Sequence, residues 1–205
     1  MEIHKLTSSR SFRIRSFCSA EEIRTYTFNP KFGSHAHYKS LFTKRESLEK
    51  HATVQDANVT LALDDNREII GFGVLTYPES DERWAKLDSL VMMEVKAIEV
   101  SRDWRMRGAA SAILEKLLSH PRIEEKIVYM VGYSWTWDLD GTRKSTQQYR
   151  GMLIGLFEPF GFIEYQTNEA NICLKPENIF MGRIGHNVSK EVQKKFKWLR
   201  FGIYP

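Results

Sequence analysis

The stretch Ala97-Ile-Glu-Val-Ser-Arg-Asp-Trp-Arg-Met-Arg-Gly-Ala-Ala110 decides the fold of this chain. Its first part predicts a strand, because the β-branched residues Ile98 and Val100 bracket Glu99. A short basic turn follows, and residues at helical spacing begin soon after it. Glycine and alanine in such a turn let backbone N–H groups approach a ligand closely. The stretch therefore predicts an anion site at a helix N-terminus, suited to a pyrophosphate.

The turn is weak evidence by itself, because glycine-containing turns also occur as plain tight connections between a strand and a helix. The segments after it are more specific. Residues 126–133 predict a second strand, residues 145–158 a helix and residues 160–165 a further strand. This order resembles the acetyl-CoA-binding core of the GNAT acetyltransferases, whose turn has the pattern Gln/Arg-x-x-Gly-x-Gly/Ala. Arg105, Gly108 and Ala110 match that pattern.

A narrower resemblance extends from about residue 82 to the end of the chain. It rests on segments that GNAT acetyltransferases in general do not share, among them Trp135-Thr-Trp-Asp-Leu139 and Arg183-Ile-Gly-His-Asn-Val188. In their order and spacing these segments resemble the acetoin-utilization acetyltransferases, the AcuA family. The resemblance implies an α/β (α+β) GNAT fold: a mixed central sheet with a splayed strand pair and flanking helices.

The composition is that of an ordinary globular protein. The 205 residues suffice for one domain with a full core, so we expect one domain over residues 1–205, with a C-terminal strand and helix extension from about residue 178. We find no run long enough to span a membrane and no secretory signal. Cys18 and Cys173 are expected to be reduced thiols of a cytoplasmic protein. A net charge of +4 is weak evidence for a nucleic-acid partner, and we expect none.

The rest of the sequence predicts the remaining elements. Residues 12–15 alternate as a first strand, and Ser19 stands at the capping position of a helix that Asn29-Pro30 should end. A second helix is expected over residues 38–51, and strands over residues 58–63 and 69–77. Residues 87–93 stay ambiguous between an extended segment and a loop. Residues 178–185 predict the last strand, and Lys190–Leu199 a terminal helix.

The GNAT resemblance implies a donor site for acetyl-CoA as the co-substrate. In that family the strand before the turn separates from its neighbour at a bulge, and its backbone pairs with the pantetheine arm. The amides of the turn bind the pyrophosphate. In this chain the two arginines of the turn, Arg105 and Arg107, either add contacts to phosphate or are solvated. In this chain the implied binding residues are Ile98, Val100, Arg105, Met106, Arg107, Gly108, Ala109 and Ala110.

Two residues are candidates for proton transfer. Glu99 lies on the strand expected to line the cleft, and a partly desolvated carboxylate there suits a general base that acts directly or through water. The alternative is a surface glutamate on the opposite face of the strand. GNAT enzymes often place a tyrosine on the helix after the second core strand to protonate the leaving thiolate. Tyr149 is the candidate for that role, or it packs into the core; Tyr133 is a weaker alternative.

The loop after the second core strand carries Trp135, Trp137, Asp138 and Asp140. Acidic groups near a cleft attract a lysine ammonium, so we expect these residues to take part in acceptor recognition. The alternative is that the tryptophans are packing anchors. His35 and His37 lie close in sequence, but no carboxylate or cysteine set accompanies them at ligand spacing, so we expect no metal.

The AcuA resemblance implies a protein lysine N-acetyltransferase that acetylates and inactivates acetyl-CoA synthetase, its protein partner. Two other functions stay open, since the fold fixes the donor and not the acceptor. One is a small-molecule amine N-acetyltransferase, and the other a non-catalytic acyl-CoA-binding regulator. The sequence does not determine the oligomeric state, the acceptor lysine or the preferred acyl chain.

Overall fold

The computed structural model, which describes residues 11–35, 40–87 and 90–204, contains one mixed sheet of eight strands. The strands are β1 (Arg13–Arg15), β2 (Thr27–Phe28), β3 (Asn58–Leu63), β4 (Glu68–Thr76), β5 (Met92–Val100), β6 (Ile127–Gly132), β7 (Ile163–Glu164) and β8 (Ile179–Ile184). They lie in the order β1-β3-β4-β5-β6-β8-β7, and β2 runs parallel to β4 at its start. The expected mixed sheet is confirmed.

Helices cover both faces of this sheet. They are α1 (Ala20–Arg24), α2 (Arg45–Ala52), α3 (Ala109–Leu117), α4 (Leu139–Thr142), α5 (Thr146–Phe157), α6 (Ala170–Cys173) and α7 (Lys190–Leu199). One face packs against α3 and α5 around Met93, Ile113 and Met130. The opposite face packs against α1 and α2 on one side and against α7 on the other. We call these the α3 face and the α7 face.

The strand β5 carries the feature that positions the site. Ala97 pairs with Val74 on β4, whereas Val95 pairs with Leu75, so Lys96 is an extra residue on β5 and forms a bulge. The extra residue reverses the faces to which the side chains on its two sides point. Val95 therefore packs on the α3 face and Ala97, two residues later, on the α7 face.

The pair β5 and β6 is splayed, as the GNAT resemblance implies. These parallel strands pair only where Met92–Glu94 lies against Ile127–Tyr129. Beyond Glu94 and Tyr129 the pairing stops, and the strands separate. We call the paired residues the closed end, and residues 95–100 of β5 with 130–132 of β6 the open end.

Two predicted helices differ from those observed. The helix capped by Ser19 ends at Arg24, before Asn29-Pro30, because the chain then forms β2 beside β4. The second helix begins at Arg45 and not at residue 38; residues 38 and 39 lie outside the described ranges. Backbone bonds explain the late start. Ser40 N donates to Phe32 O over 2.9 Å, and Leu41 N donates to the Glu99 carboxylate over 2.7 Å, which holds this segment in a non-helical path.

The C-terminal residues are part of the sheet. The strand β8 lies between β6 and β7, and Phe196 of α7 packs against Phe180 of β8. The predicted strand over residues 160–165 is reduced to Ile163–Glu164, because Glu158–Phe160 forms a 3₁₀ turn that ends at Gly161, whose φ is +83°. The terminal helix has the predicted bounds, and Ser189 caps it.

The segment Arg183-Ile-Gly-His-Asn-Val188 has a structural role in this fold. Arg183 forms an ion pair with Glu124, which lies in the turn before β6. The same carboxylate accepts from His186 N over 2.9 Å, and Asn187 N donates to the Glu124 carbonyl over 2.8 Å. These bonds fasten the end of β8 to the start of β6.

Candidate active site

The basic turn joins the open end of β5 to α3. Met106 and Gly108 have left-handed backbones, with φ of 62° and 80°, and Gly108 precedes the first helical residue. Ala112 N bonds the Gly108 carbonyl over 3.0 Å. No hydrogen bond found among the described residues uses the N–H groups of residues 106–111. Those donors, at the N-terminus of a nine-residue helix, have the arrangement that suits a phosphate group.

The two arginines of the turn have different surroundings. Arg107 is exposed, and its guanidinium lies 5.7 Å from the centre of the Trp104 ring. Arg105 is turned inward instead. Its Nη1 lies 2.6 Å from Asp138 Oδ2, and its Nε donates to the Val100 carbonyl over 3.0 Å. The expected phosphate contact therefore fits Arg107 better than Arg105.

The backbone of β5 presents polar groups to the open end. Ser101 N donates to Ile70 O on β4 over 2.9 Å. In an antiparallel pair every second residue bonds the neighbouring strand, so Glu99 also faces β4 with its backbone groups. The N–H and C=O groups of Ile98 and Val100 consequently point away from β4. The bond from Arg105 to the Val100 carbonyl agrees with that direction. An extended ligand chain has backbone partners at these two residues.

The two candidates for proton transfer, Glu99 and Tyr149, lie on opposite faces of the sheet: Tyr149 packs against the α3 face. Glu99 pairs across the strands with Phe72, so its side chain lies on the α7 face; it is buried and accepts from Leu41 N over 2.7 Å. Tyr149, on α5, stacks on Trp137 with ring centres 5.1 Å apart. Burial raises the pKa of the Tyr149 phenol; Arg105 opposes the rise, and the charges of Asp138 and Glu99 add to it.

The loop after β6 divides into exposed and buried members. Trp135 is exposed and stacks on Tyr133, and Asp140 is exposed as well. Trp137 and Asp138 are buried. A lysine ammonium has access to the first pair only. The structure therefore gives the two halves of the predicted acceptor loop different surroundings.

Asp138 is the centre of an ion-pair group that we call the Asp138 cluster: Asp138, Arg102 and Arg105. Arg102 binds the carboxylate through two bonds of 2.6 and 2.8 Å, Arg105 through one of 2.6 Å, and Gly141 N donates to it over 3.0 Å. These hydrogen bonds outweigh burial and lower the pKa of Asp138 to about 2. The expected attraction of an acceptor ammonium by Asp138 does not agree with this geometry, because both its oxygens already bind guanidinium or amide donors.

Glu94 is a candidate that the sequence analysis missed. It is the last residue of β5 paired with β6, opposite Tyr129, and its side chain is 15% exposed. Its Oε2 is buried without a hydrogen-bond partner among the described residues, and Lys96 Nζ lies 3.6 Å away. Burial raises the pKa of Glu94 to about 7; Lys96 lowers it and Glu82 adds to the rise. A carboxylate with that pKa, at the apex of the splay, is suited to accept a proton near neutral pH.

The sequence does not single out Glu94, because side chains alternate between the two faces along a regular strand and the bulge changes that alternation. Glu94 and Glu99 are five residues apart, and in a regular strand they would lie on opposite faces. The Lys96 bulge adds one residue, so both side chains lie on the α7 face. A strand pattern read from sequence contains no sign of the bulge.

The described part of the chain offers no group of three or more histidine, cysteine, aspartate or glutamate side chains that could hold a metal ion. His37 lies outside that part. Of the helices in the described ranges, none has the length and apolar character that crossing a bilayer requires.

Comparison with known proteins identifies the family, although no protein-family model matches the chain. The acetoin utilization protein AcuA of Bacillus subtilis (strain 168) is 30% identical over 208 residues, which cover 98% of this chain and 97% of that protein. The AcuA protein of Bacillus licheniformis is 28% identical over 208 residues, which cover 98% of this chain and 97% of that protein.

Solved structures agree on the fold. The crystal structure of an acetoin utilization protein from Exiguobacterium sibiricum 255-15 matches with a TM-score of 0.83 and 24% identity, covering 96% of this chain and 97% of that one. The ribosomal-protein-S18-alanine N-acetyltransferase from Escherichia coli matches with a TM-score of 0.51 and 15% identity, covering 87% and 99%. The fold is thus that of these acetyltransferase structures. Since a relative at 30% identity aligns over nearly the whole length, this chain belongs to the AcuA family of acetoin utilization proteins.

Proposed function

We propose that this protein is a cytoplasmic, acetyl-CoA-dependent lysine N-acetyltransferase whose acceptor is acetyl-CoA synthetase. The observation that carries the acetyl-transfer part is the splay: β5 and β6 separate after three paired residues, and β5 then leads into a turn whose N–H donors have no partner among the described residues. Membership of a family named for acetoin utilization supports an acceptor in two-carbon metabolism. Acetylation of a lysine that the synthetase needs would then adjust acetate activation to the supply of acetyl-CoA.

The donor would lie in the open end. Its pantetheine arm would bond the backbone of Ile98 and Val100, and its pyrophosphate the N–H groups of residues 106–110, with Arg107 adding charge. This placement holds the thioester carbonyl close to the apex of the splay. Acetyl-CoA supplies the activated acetyl group, and the strand fixes its register for attack.

The acceptor ammonium must lose a proton before its nitrogen can attack a thioester. Two carboxylates on the α7 face are available for this step. Glu99, the candidate from the sequence, lies at the open end and is held by Leu41 N. Glu94 lies at the apex, and its pKa near 7 favours it as the proton acceptor. Tyr149 would return a proton to the leaving thiolate, and the exposed Trp135 and Asp140 would contact the acceptor.

Mass spectrometry of the acceptor tests the proposal. We would mix the purified protein with acetyl-CoA and the acetyl-CoA synthetase of the same organism, and measure the intact mass and activity of the synthetase. We expect a gain of one acetyl group together with loss of synthetase activity. No gain in mass, with acetyl-CoA binding demonstrated, would disprove the lysine acetyltransferase function on this target.

Matched variants then assign the proton acceptor. Glu94→Gln and Glu99→Gln remove one carboxylate each, and Glu115→Gln, on the exposed side of α3, is the control. We expect the variant that lacks the proton acceptor to lose roughly 100-fold or more in kcat/KM, while the control keeps wild-type activity. If both variants of β5 keep full activity, neither carboxylate takes the proton.

A further inference from the structure

The open end of β5 and β6 is bridged by side chains where backbone pairing has stopped. Asp138 lies six residues after the end of β6, and Arg105 five residues after the end of β5. Their ion pair, with 2.6 Å between Arg105 Nη1 and Asp138 Oδ2, joins the two sides of the opening. No comparable bridge is needed at the closed end, where the strands bond each other directly.

The bridge continues to the backbone that faces the opening. Arg105 Nε donates to the carbonyl of Val100, the last residue of β5. A guanidinium holds its donors in a fixed planar fork, so the position of Asp138 determines where the Val100 carbonyl lies. Three groups in series thus connect the loop after β6 to the end of β5: the Asp138 carboxylate, the Arg105 guanidinium and the Val100 carbonyl.

The Asp138 side chain is enclosed and bonded on both oxygens in this arrangement. It is fully buried, and Arg102 binds its second oxygen over 2.6 Å. A Cβ added to Gly141 would lie 2.2 Å from Asp138 Oδ2 and 2.4 Å from Arg102 Nε, so the neighbouring backbone encloses the cluster closely. The same loop supplies Trp137, on which Tyr149 stacks.

We propose that Asp138 is a positioning residue for the donor, which through Arg105 sets the width of the open end and the place of the Val100 carbonyl. This inference rests on the proposed function, since it takes acetyl-CoA as the molecule that occupies the opening. It replaces the acceptor role that the sequence suggested for Asp138. It also gives Arg105 a role in positioning and leaves the phosphate contact to Arg107.

Direct measurement of acetyl-CoA binding by calorimetry tests the inference, with kcat and the KM of each substrate measured beside it. Asp138→Asn keeps the shape of the side chain and its bond to Gly141 N, and removes the charge that holds Arg105. Arg105→Lys keeps the positive charge but loses the planar fork that bonds Asp138 and the Val100 carbonyl at fixed positions. We expect both variants to bind acetyl-CoA about tenfold more weakly or worse, with the acceptor KM unchanged.

Two controls separate positioning from loss of stability. Asp140→Asn changes an exposed aspartate of the same loop and should bind acetyl-CoA as the wild type does. Leu199→Ala truncates a buried side chain of α7, so it lowers stability and leaves the Asp138 cluster intact. We expect Leu199→Ala to keep normal affinity for acetyl-CoA.

The outcomes distinguish this inference from the proposed function. If the wild type does not bind acetyl-CoA, the proposed function itself is wrong. If the wild type binds acetyl-CoA and Asp138→Asn and Arg105→Lys bind it equally well, Asp138 does not position the donor. A raised acceptor KM with unchanged donor affinity would likewise overturn the inference and restore the acceptor role.

Discussion

Glu94 and Asp138 are both carboxylates with little exposure at the splay of β5 and β6, yet their pKa values move in opposite directions. Glu94, at the closed end, has Lys96 Nζ at 3.6 Å, and burial raises its pKa to about 7. Asp138, beside the open end, binds two arginines and an amide, and its pKa falls to about 2. Low exposure alone therefore does not decide the charge of an acidic side chain.

The difference between the two carboxylates follows from their partners. Burial penalises a charge, and only nearby cations and hydrogen-bond donors offset that penalty. The Asp138 cluster provides a full set of donors, so this carboxylate stays ionised and serves as a fixed anchor. Glu94 lacks such a set, so it is the one that exchanges a proton near neutral pH.

The largest effect is expected from Gly141→Ala, which places a methyl group against the Asp138 carboxylate. The added methyl group would overlap Asp138 Oδ2 and Arg102 Nε, so the ion pairs must open. We expect the free energy of unfolding in urea to fall by about 3 kcal/mol, as when a buried pair is broken. Gly155→Ala is the control: its added Cβ, in the last turn of α5, meets no atom within 4 Å outside the helix's own backbone, and the variant should gain up to about 1 kcal/mol. Equal stability of both variants would show that the cluster is not closely packed.

A smaller effect, opposite in sign, is expected from Glu94→Gln. The folded-state pKa of Glu94 is raised above its unfolded value of 4.5, so its contribution to stability is present below pH 4.5 and is lost as the pH rises through about 7. Removing the carboxylate should stabilise the protein at pH 8 by about 2 kcal/mol and leave it unchanged at pH 4. Urea unfolding at the two pH values measures this. A variant destabilised at pH 8 would mean that Glu94 is as well compensated as Asp138.

The smallest effect is expected from Gly108→Ala, which tests the turn beside the open end. Nothing lies within 4 Å of the added Cβ, but the φ of 80° is unfavourable for alanine. We expect a loss of about 1 kcal/mol in the free energy of unfolding, and weaker acetyl-CoA binding where the turn relaxes. Gly151→Ala, also in open space but helical, should not lose stability. Full stability of Gly108→Ala would show that the turn is not held in the left-handed conformation.

Local patterns predicted most of the elements. The strand over residues 58–63, the cap at Ser19, and the helix Lys190–Leu199 follow from alternation, capping chemistry and helical spacing, which depend on neighbours in sequence. The start of α2 was wrong by seven residues, because bonds from Ser40 and Leu41 to distant partners hold that backbone out of the helix. No local signal reports those partners.

The sequence by itself determined the order of elements, the small-residue turn at Gly108 and the family resemblance, because each depends on residue types at short spacing. The tertiary structure decided which carboxylate plays which part. A one-residue bulge at Lys96 brings Glu94 and Glu99 to one face, and a loop far along the chain pairs Asp138 with Arg102 and Arg105. Burial and ion pairing arise between residues distant in sequence, so the pKa and the role of each acid follow only from the fold.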